Sequence, residues 1–356
     1  MSKREIGVRL HGVTLKLEAD HPPLLAYAVE HLHGLVDDTI KNPDMVVKCF
    51  WSQEDWGSEP PAFAPQSGAA MNIIGKRMLG NVDDLIWLDT LRMKGMQLRF
   101  GREDGRFIFE VAYRFHPKKE KAENLPEYEY KKYFSLMSYL VYYPLIWHLE
   151  RFRGWTVLHA SALADATGGL LIGGLGGVGK TTTCVALMQH PGVALMSENI
   201  VFTDGEFIYP CYEPIRLDAE SLSMLGENPP GLSRMAFPNG LKEKWLFHLK
   251  KSELPLKIKP RWLFLPQFSS RRYLKPLASD LVAEKILAMN RLTRELDDYG
   301  WYAAALDMHW PRVGQARSRI EVLCRFAQKV RCYELGIDRT AGVEAVVEDI
   351  LKAVES

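Results

Sequence analysis

The stretch Gly174-Leu-Gly-Gly-Val-Gly-Lys180-Thr181 decides the reading of this chain. It matches the phosphate-loop pattern G-x-x-x-x-G-K-[ST] in full. Closely spaced glycines let successive backbone N–H groups turn inward around phosphate oxygens. Lys180 can then reach the terminal phosphates as a point charge, and the Thr181 hydroxyl is a hard oxygen donor suited to Mg²⁺. Before the loop, Gly169-Leu-Leu-Ile172 reads as a short buried strand. After it, Thr182-Thr-Cys-Val-Ala-Leu-Met188 reads as a helix with one buried face. The motif needs this order, because a helix N-terminus lays partial positive charge beneath the phosphates. The expectation is a nucleoside triphosphate held by Gly174, Gly176, Gly177, Val178, Gly179, Lys180, Thr181 and Thr182.

Strand and helix alternate on both sides of the loop from Trp155 onward. Strands are expected at Thr156 to Leu163, Leu170 to Gly173, Val193 to Met196, Trp262 to Leu265 and Val330 to Leu335, with a hairpin around Asp204-Gly205. Ser279 and Thr340 read as caps of later helices. Residues 1–150 look different. A hairpin turns at His11-Gly12, Pro22-Pro23 opens a helix, and Met45 to Phe50 is a strand. Residues 55–70 read as a long loop, Leu91 to Tyr113 as a hairpin turning at Glu103-Asp104-Gly105, and 117–127 as a charged connector. A long aromatic helix over 128–152 follows, kinked at Pro144. The division predicted is therefore an α+β unit over 1–150, with a role in acceptor or partner recognition, and an α/β unit over 151–356.

Composition narrows the classes. Of 356 residues, 47% are hydrophobic and 25% charged, as in an ordinary globular protein. A net charge of +1 gives no reason to expect nucleic acid or an anionic membrane as partner. No apolar run approaches the ~18 residues of a membrane span, and Met1-Ser-Lys-Arg-Glu-Ile lacks the core of a secretory signal. Five cysteines without a C-x-x-C pair fit a reducing, cytoplasmic compartment better than a disulfide framework or a zinc site.

A phosphate loop alone names no reaction, so the rest of the site matters. Ala194-Leu-Met-Ser197-Glu198-Asn199 is an apolar strand with a polar end, one helix beyond the loop. Glu198 can bind Mg²⁺ or accept a hydroxyl proton, and Asn199 can offer an amide oxygen to the metal. His159, on the strand before the loop strand, reads equally as a satisfied core histidine or as a group beside the γ-phosphate. Arg216, in Glu213-Pro-Ile-Arg216, can neutralise charge during phosphoryl transfer or form an ordinary salt bridge. Lys242 and Lys244 read more simply as solvated loop residues. No N-K-x-D guanine signature, L-S-G-G-Q run or H-R-D/D-F-G set is present, which argues against Ras-type GTPases, transport cassettes and eukaryotic-type protein kinases.

Four segments occur in order: Leu158-His159-Ala-Ser-Ala162, the phosphate loop, Leu195-Met-Ser197-Glu198-Asn199 and Glu213-Pro-Ile-Arg216. Together, over about residues 153–350, they resemble the HPr serine kinase/phosphorylase superfamily, and most closely its divergent bacterial HPr-kinase-related branch. The resemblance implies an α/β phosphate-loop kinase domain of the PEP-carboxykinase-like type behind a smaller α+β domain. It implies an ATP- and Mg²⁺-dependent phosphotransferase acting on a hydroxyl, in a chain that can form homo-oligomers. By position it places His159, Lys180, Glu198 and Arg216 in catalytic roles, and Thr181, Glu198 and Asn199 at the metal. Glu198 and Asn199 stand where the family has two aspartates, and the E-I-R-G-L-G-I signature of true HPr kinases is absent. The acceptor expected is a protein or peptide Ser/Thr, and the missing signature argues against HPr itself. A small-molecule kinase and a catalytically weak nucleotide-binding regulator are the alternatives.

Overall fold

The computed structural model describes residues 4–52, 63, 70–88, 90, 93–115, 125–225, 231–236, 243–251, 254–311 and 318–355. Most of the loop expected at 55–70, most of the connector at 117–127, and Lys242 lie outside them. The protein is mixed α/β, built on large mixed sheets with helices, and divides into two units. One comprises described residues of Met1–His148, Ala236–Leu241 and Trp301–Pro311; the other those of Leu149–Met235, Lys242–Gly300 and Arg312–Ser356.

The first unit carries β1 (Glu5–Leu10), β2 (Val13–Ala19), α1 (Pro22–His31), β3 (Met45–Ser52), β4 (Asn72–Gly75), β5 (Met78–Gly80), β6 (Leu85–Trp87), β7 (Met96–Glu103) and β8 (Arg106–Arg114). They form one eight-stranded sheet in the order β1-β2-β3-β8-β7-β6-β5-β4. Both expected hairpin turns are present. His11-Gly12 (φ 49° and 79°) and Asp104-Gly105 (φ 49° and 79°) put two left-handed residues in succession, the turn that matches strand twist. The aromatic helix runs on through 125–153 with one irregular stretch. α2 (Leu125–Met137) passes through a π-helical stretch, Ser138–Tyr142, into α3 (Tyr143–Arg153). Pro144 lacks an N–H and crowds the preceding turn, and the widened turn just before it relieves that clash. This unit is discontinuous in sequence because Tyr302 and Trp310 join its aromatic core, their rings 5.2 Å from Phe100 and 5.0 Å from Phe107.

The second unit is layered helix, sheet, helix. Its elements begin with β9 (Thr156–Ala164), β10 (Gly169–Gly173), α4 (Lys180–Leu187), β11 (Ala194–Ser197), β12 (Ile200–Thr203), β13 (Ile208–Pro210) and β14 (Ile215–Leu217). α5 (Ala219–Ser223), β15 (Leu232–Arg234), β16 (Trp245–Phe247), β17 (Pro260–Phe268), β18 (Tyr273–Leu277) and α6 (Ser279–Leu292) follow. α7 (Arg294–His309, whose residues from Trp301 on belong to the first unit), α8 (Arg319–Ala327), β19 (Arg331–Ile337) and α9 (Gly342–Glu355) come last. The main sheet runs β13-β12-β9-β10-β17-β19-β18, with β11 also on β9, and β14-β16-β15 form a small separate sheet. β9 is buried along its whole length, and its side chains alternate between two cores. Leu158, Ala160, Ala162 and Ala164 pack with Val282, Ala283 and Ile286 of α6 and Leu323 and Phe326 of α8. Leu163 packs on the opposite side with Cys184, Val185 and Leu187 of α4 and Val346, Val347 and Ile350 of α9.

Two expected caps are displaced. Ala278, not Ser279, precedes α6 and caps it with no side chain. Thr340 lies in a short 3-10 turn that Asp338 caps, and α9 starts at Gly342. On α6, Val282, Ala283 and Ile286 are buried and Leu281 is exposed. Among the described residues, no helix is long and apolar enough to cross a membrane.

α8 begins with a reciprocal cap. The Ser318 hydroxyl accepts from the Glu321 N–H, and the Glu321 carboxylate accepts from the Ser318 N–H. Ser318→Ala should therefore cost about 1 kcal/mol, read as a lower urea midpoint at unchanged slope, whereas Ser318→Asp should keep most of it.

Candidate nucleotide-phosphate site

β10 runs antiparallel to β9 and parallel to β17, then stops at Gly173, opposite Ala160. The chain leaves the sheet at Gly174 (φ 121°) and turns twice more through the left-handed region at Gly177 (φ 81°) and Gly179 (φ 84°). L-residues resist those angles, so backbone geometry demands glycine there. A Cβ on Gly176, Gly177 or Gly179 would meet no atom within 4 Å, so the hollow around these positions is open. α4 starts at Lys180, two residues earlier than expected, and no side chain caps its N-terminus. Its first N–H groups are thus left for an external acceptor, reinforced by the helix dipole.

Lys180 is buried, with Nζ 3.1 Å from the Gly174 carbonyl and 2.9 Å from that of Leu175. Burial lowers its ammonium below the usual lysine range, while the Glu198 carboxylate pulls the other way. Thr181 donates its hydroxyl to Glu198 Oε1. Next to it, the Thr182 hydroxyl lies 3.3 Å from that of Ser221.

Glu198 gets there through an irregular edge. β11 and β12 follow one another along the same side of β9, with Ser197 opposite Ala162 and Ile200 opposite His159. A register shift between Leu195 and Ser197 re-aims the residues beyond it. Glu198 and Asn199 occupy the gap between the two strands, both buried. The Ser161 hydroxyl, on β9, holds the Glu198 carbonyl in place.

His159 is both buried and beside the loop. Nδ1 is 3.0 Å from the Gly174 carbonyl and 3.2 Å from the Thr293 hydroxyl; Nε2 is 3.0 Å from Asn199 Oδ1. Burial first, then the Lys180 charge, push its pKa down to about 4, so at neutral pH the ring is uncharged and carries one N–H, which on Nδ1 serves the Gly174 carbonyl. Arg216, on β14, stands at the margin. It pairs with Glu295 of α7 at 3.6 Å, both side chains partly exposed, and its charge is felt at Lys180 and Glu213. Lys244, by contrast, acts on Asp218.

His159, Lys180, Thr181, Glu198 and Asn199 thus meet at one place, with Arg216 at its edge. Sequence reasoning gave no role to Asn290, Thr293 or Glu295, which carry no motif, nor to Ser161 and Glu213, each quoted only as part of a segment. Glu213 follows Tyr212, whose φ of 58° is unusual for a bulky residue. Its Oε1 is sealed from solvent without a hydrogen-bond partner, although the residue as a whole is half-buried. Burial pushes its pKa up to about 8; Arg216 opposes the rise, and Glu198 and Glu295 add to it.

Among the described residues, no group of three or more His, Cys, Asp or Glu is arranged to hold a metal. The Thr181–Glu198 pair still fits Mg²⁺, which takes one or two protein oxygens and fills its remaining positions with phosphate and water. Compared with known proteins, the chain matches no family model and no curated protein.

The two shifted groups predict opposed pH effects. Glu213 keeps its proton in the folded state up to about pH 8, against 4.5 unfolded, so its stabilising contribution is full below 4.5 and lost as pH rises to 8. His159, at about 4 against 6.5, contributes fully above 6.5 and loses it as pH falls to 4. Between pH 6.5 and 8 only the Glu213 loss operates of these two. Urea titrations of wild type and Glu213→Gln across that window should show the wild type weakening relative to the variant as pH rises.

Proposed function

We propose that the second unit is an ATP-dependent phosphotransferase of the HPr-kinase-related, PEP-carboxykinase-like kind, which moves a phosphoryl group to a hydroxyl, that of a protein or peptide Ser/Thr. One observation carries this reading: the hydroxyl of the phosphate-loop Thr181 is bonded to a carboxylate, Glu198, brought in from another strand. A glycine turn that merely reversed the chain would have no use for that partnership. It is the pair of oxygen ligands that phosphate-loop enzymes offer to magnesium.

When bound, ATP supplies the transferable phosphoryl group and Mg²⁺ neutralises charge on its oxygens. The N–H groups from Leu175 to Thr181 bind and orient the phosphates, and Lys180 leaves its two carbonyl partners to meet them. Thr181, Glu198 and Asn199 are the residues that would hold the metal, one or two of their oxygens at a time. Glu198 also takes the proton of the incoming hydroxyl at its carboxylate. A weak base suffices, because phosphoryl transfer gains mostly from positioning and charge neutralisation. Arg216 can turn from Glu295 toward charge that develops during transfer.

Lys180→Ala should weaken binding of Mg²⁺-ATP at least tenfold by calorimetry; unchanged affinity would count against the loop's role. Glu198→Gln should keep most of the binding and lose transfer of ³²P from γ-labelled ATP to acceptors in cell extract. Label on a macromolecule supports the protein kinase, and label in a dialysable product points to a small-molecule kinase. Binding without turnover in the wild type points to a regulator, a reading favoured by the uncharged Asn199.

A further inference from the structure

We propose that the last turn of α6 is a clamp on the phosphate loop, in which Asn290 and Thr293 act as positioning residues through His159. The need for a clamp follows from the sheet. β9 runs on beyond the point where β10 ends at Gly173. The next groups on that edge of β9, the His159 N–H and the Val157 carbonyl, therefore lose their strand partner just where the chain departs into the loop. The Asn290 side chain replaces the missing strand. Its Oδ1 accepts from the His159 N–H and its Nδ2 donates to the Val157 carbonyl, both at 3.0 Å. A primary amide is the side chain that can satisfy a backbone donor and a backbone acceptor together.

One turn later, Thr293 ends α6 with an extended ψ of 124°, and its carbonyl accepts from Asp297 to start α7. Its buried hydroxyl reaches Met289 O at 3.0 Å and His159 Nδ1 at 3.2 Å. The same Nδ1 lies against the carbonyl of Gly174, the hinge at which the loop leaves the sheet, and Lys180 bonds that carbonyl from its other side. α6 therefore fixes β9 by its backbone and His159 by its ring, and His159 passes the constraint to Gly174 and Asn199. The side-chain hydrogen bonds of Asn290 and Thr293 go to β9, to His159 and to Met289, not to residues 175–181. Their contribution is to pre-order the loop, so that ordering need not be drawn from the binding energy of the ligand.

The test is Thr293→Val, which keeps the shape and removes the hydroxyl, with Thr293→Ser as rescue and Asn290→Ala as a second, independent variant. In Thr293→Val, loop amides 175–181 should exchange with deuterium about fivefold faster, the worth of one hydrogen bond. The melting temperature should stay close to wild type, and Mg²⁺-ATP affinity should fall by a similar factor. Serine should restore both, and Asn290→Ala should loosen the same amides. Unchanged loop exchange in a folded Thr293→Val, failure of serine to restore it, or loosening spread evenly over β9, β10 and α4 would each overturn the clamp. Only the affinity readout rests on the nucleotide reading. A wild type that binds no ATP while its loop still responds to valine and recovers with serine would refute that reading and leave the clamp standing.

Discussion

The pairing of β9 with β10 on one edge and with β11 and β12 on the other is what the second unit depends on, because His159, the glycine turn and the Glu198–Asn199 strand end are all held through it. β9 lies in the middle of the sheet, and each of its faces closes a separate core. Sliding it by one residue would exchange the small residues Ala160, Ala162 and Ala164 for Leu163 and the polar His159 and Ser161 against α6 and α8. Core packing cannot absorb that change, so the register is locked. Once it is locked, Ser161 sits under the Glu198 carbonyl and His159 under the Gly174 carbonyl. The site is in this sense a by-product of the strand's alternation.

Electrostatics divides the site into an inner and an outer part. Two unit charges about 4 Å apart interact by ~1 kcal/mol in water, but by ~4 kcal/mol at the effective dielectric near 20 that suits partly buried protein. Lys180 and Glu198 are buried and stand in the stronger regime. The Arg216–Glu295 pair at 3.6 Å is partly exposed and stands closer to the weaker one, where such pairs contribute between 0 and about 1 kcal/mol. The inner charges therefore set the resting state, and the outer pair can exchange partners at little cost. Lys180 is held meanwhile by two carbonyls of its own loop and feels the Glu198 carboxylate, so an arriving anion must outcompete both.

Much of this was legible in the chain. The glycines at 174, 177 and 179 mark positions of positive φ, and His11-Gly12 and Asp104-Gly105 mark tight hairpins, because few residues tolerate those angles. The strand over Thr156 to Leu163 and the polar end of the strand one helix past the loop also appear where they were expected. Helix starts read less well. Ser279 and Thr340 are good capping residues, yet a neighbour took the position each time, since local preference for a cap is worth little against the packing that sets where a helix begins.

The amino-acid order alone thus established the glycine turn, the strand before it, the helix after it and the acidic strand end, because each rests on contacts or backbone angles a few residues apart. Asn290, Thr293, Glu213 and Glu295 joined the site only when the chain was folded. Asn290 and Thr293 lie more than a hundred residues from His159, and an asparagine or threonine at a helix end carries no mark of what it will face. Local steric rules act between neighbours and leave a pattern in the chain. Partnership across that distance depends on how α6 docks against β9, a packing outcome that no short stretch of sequence encodes.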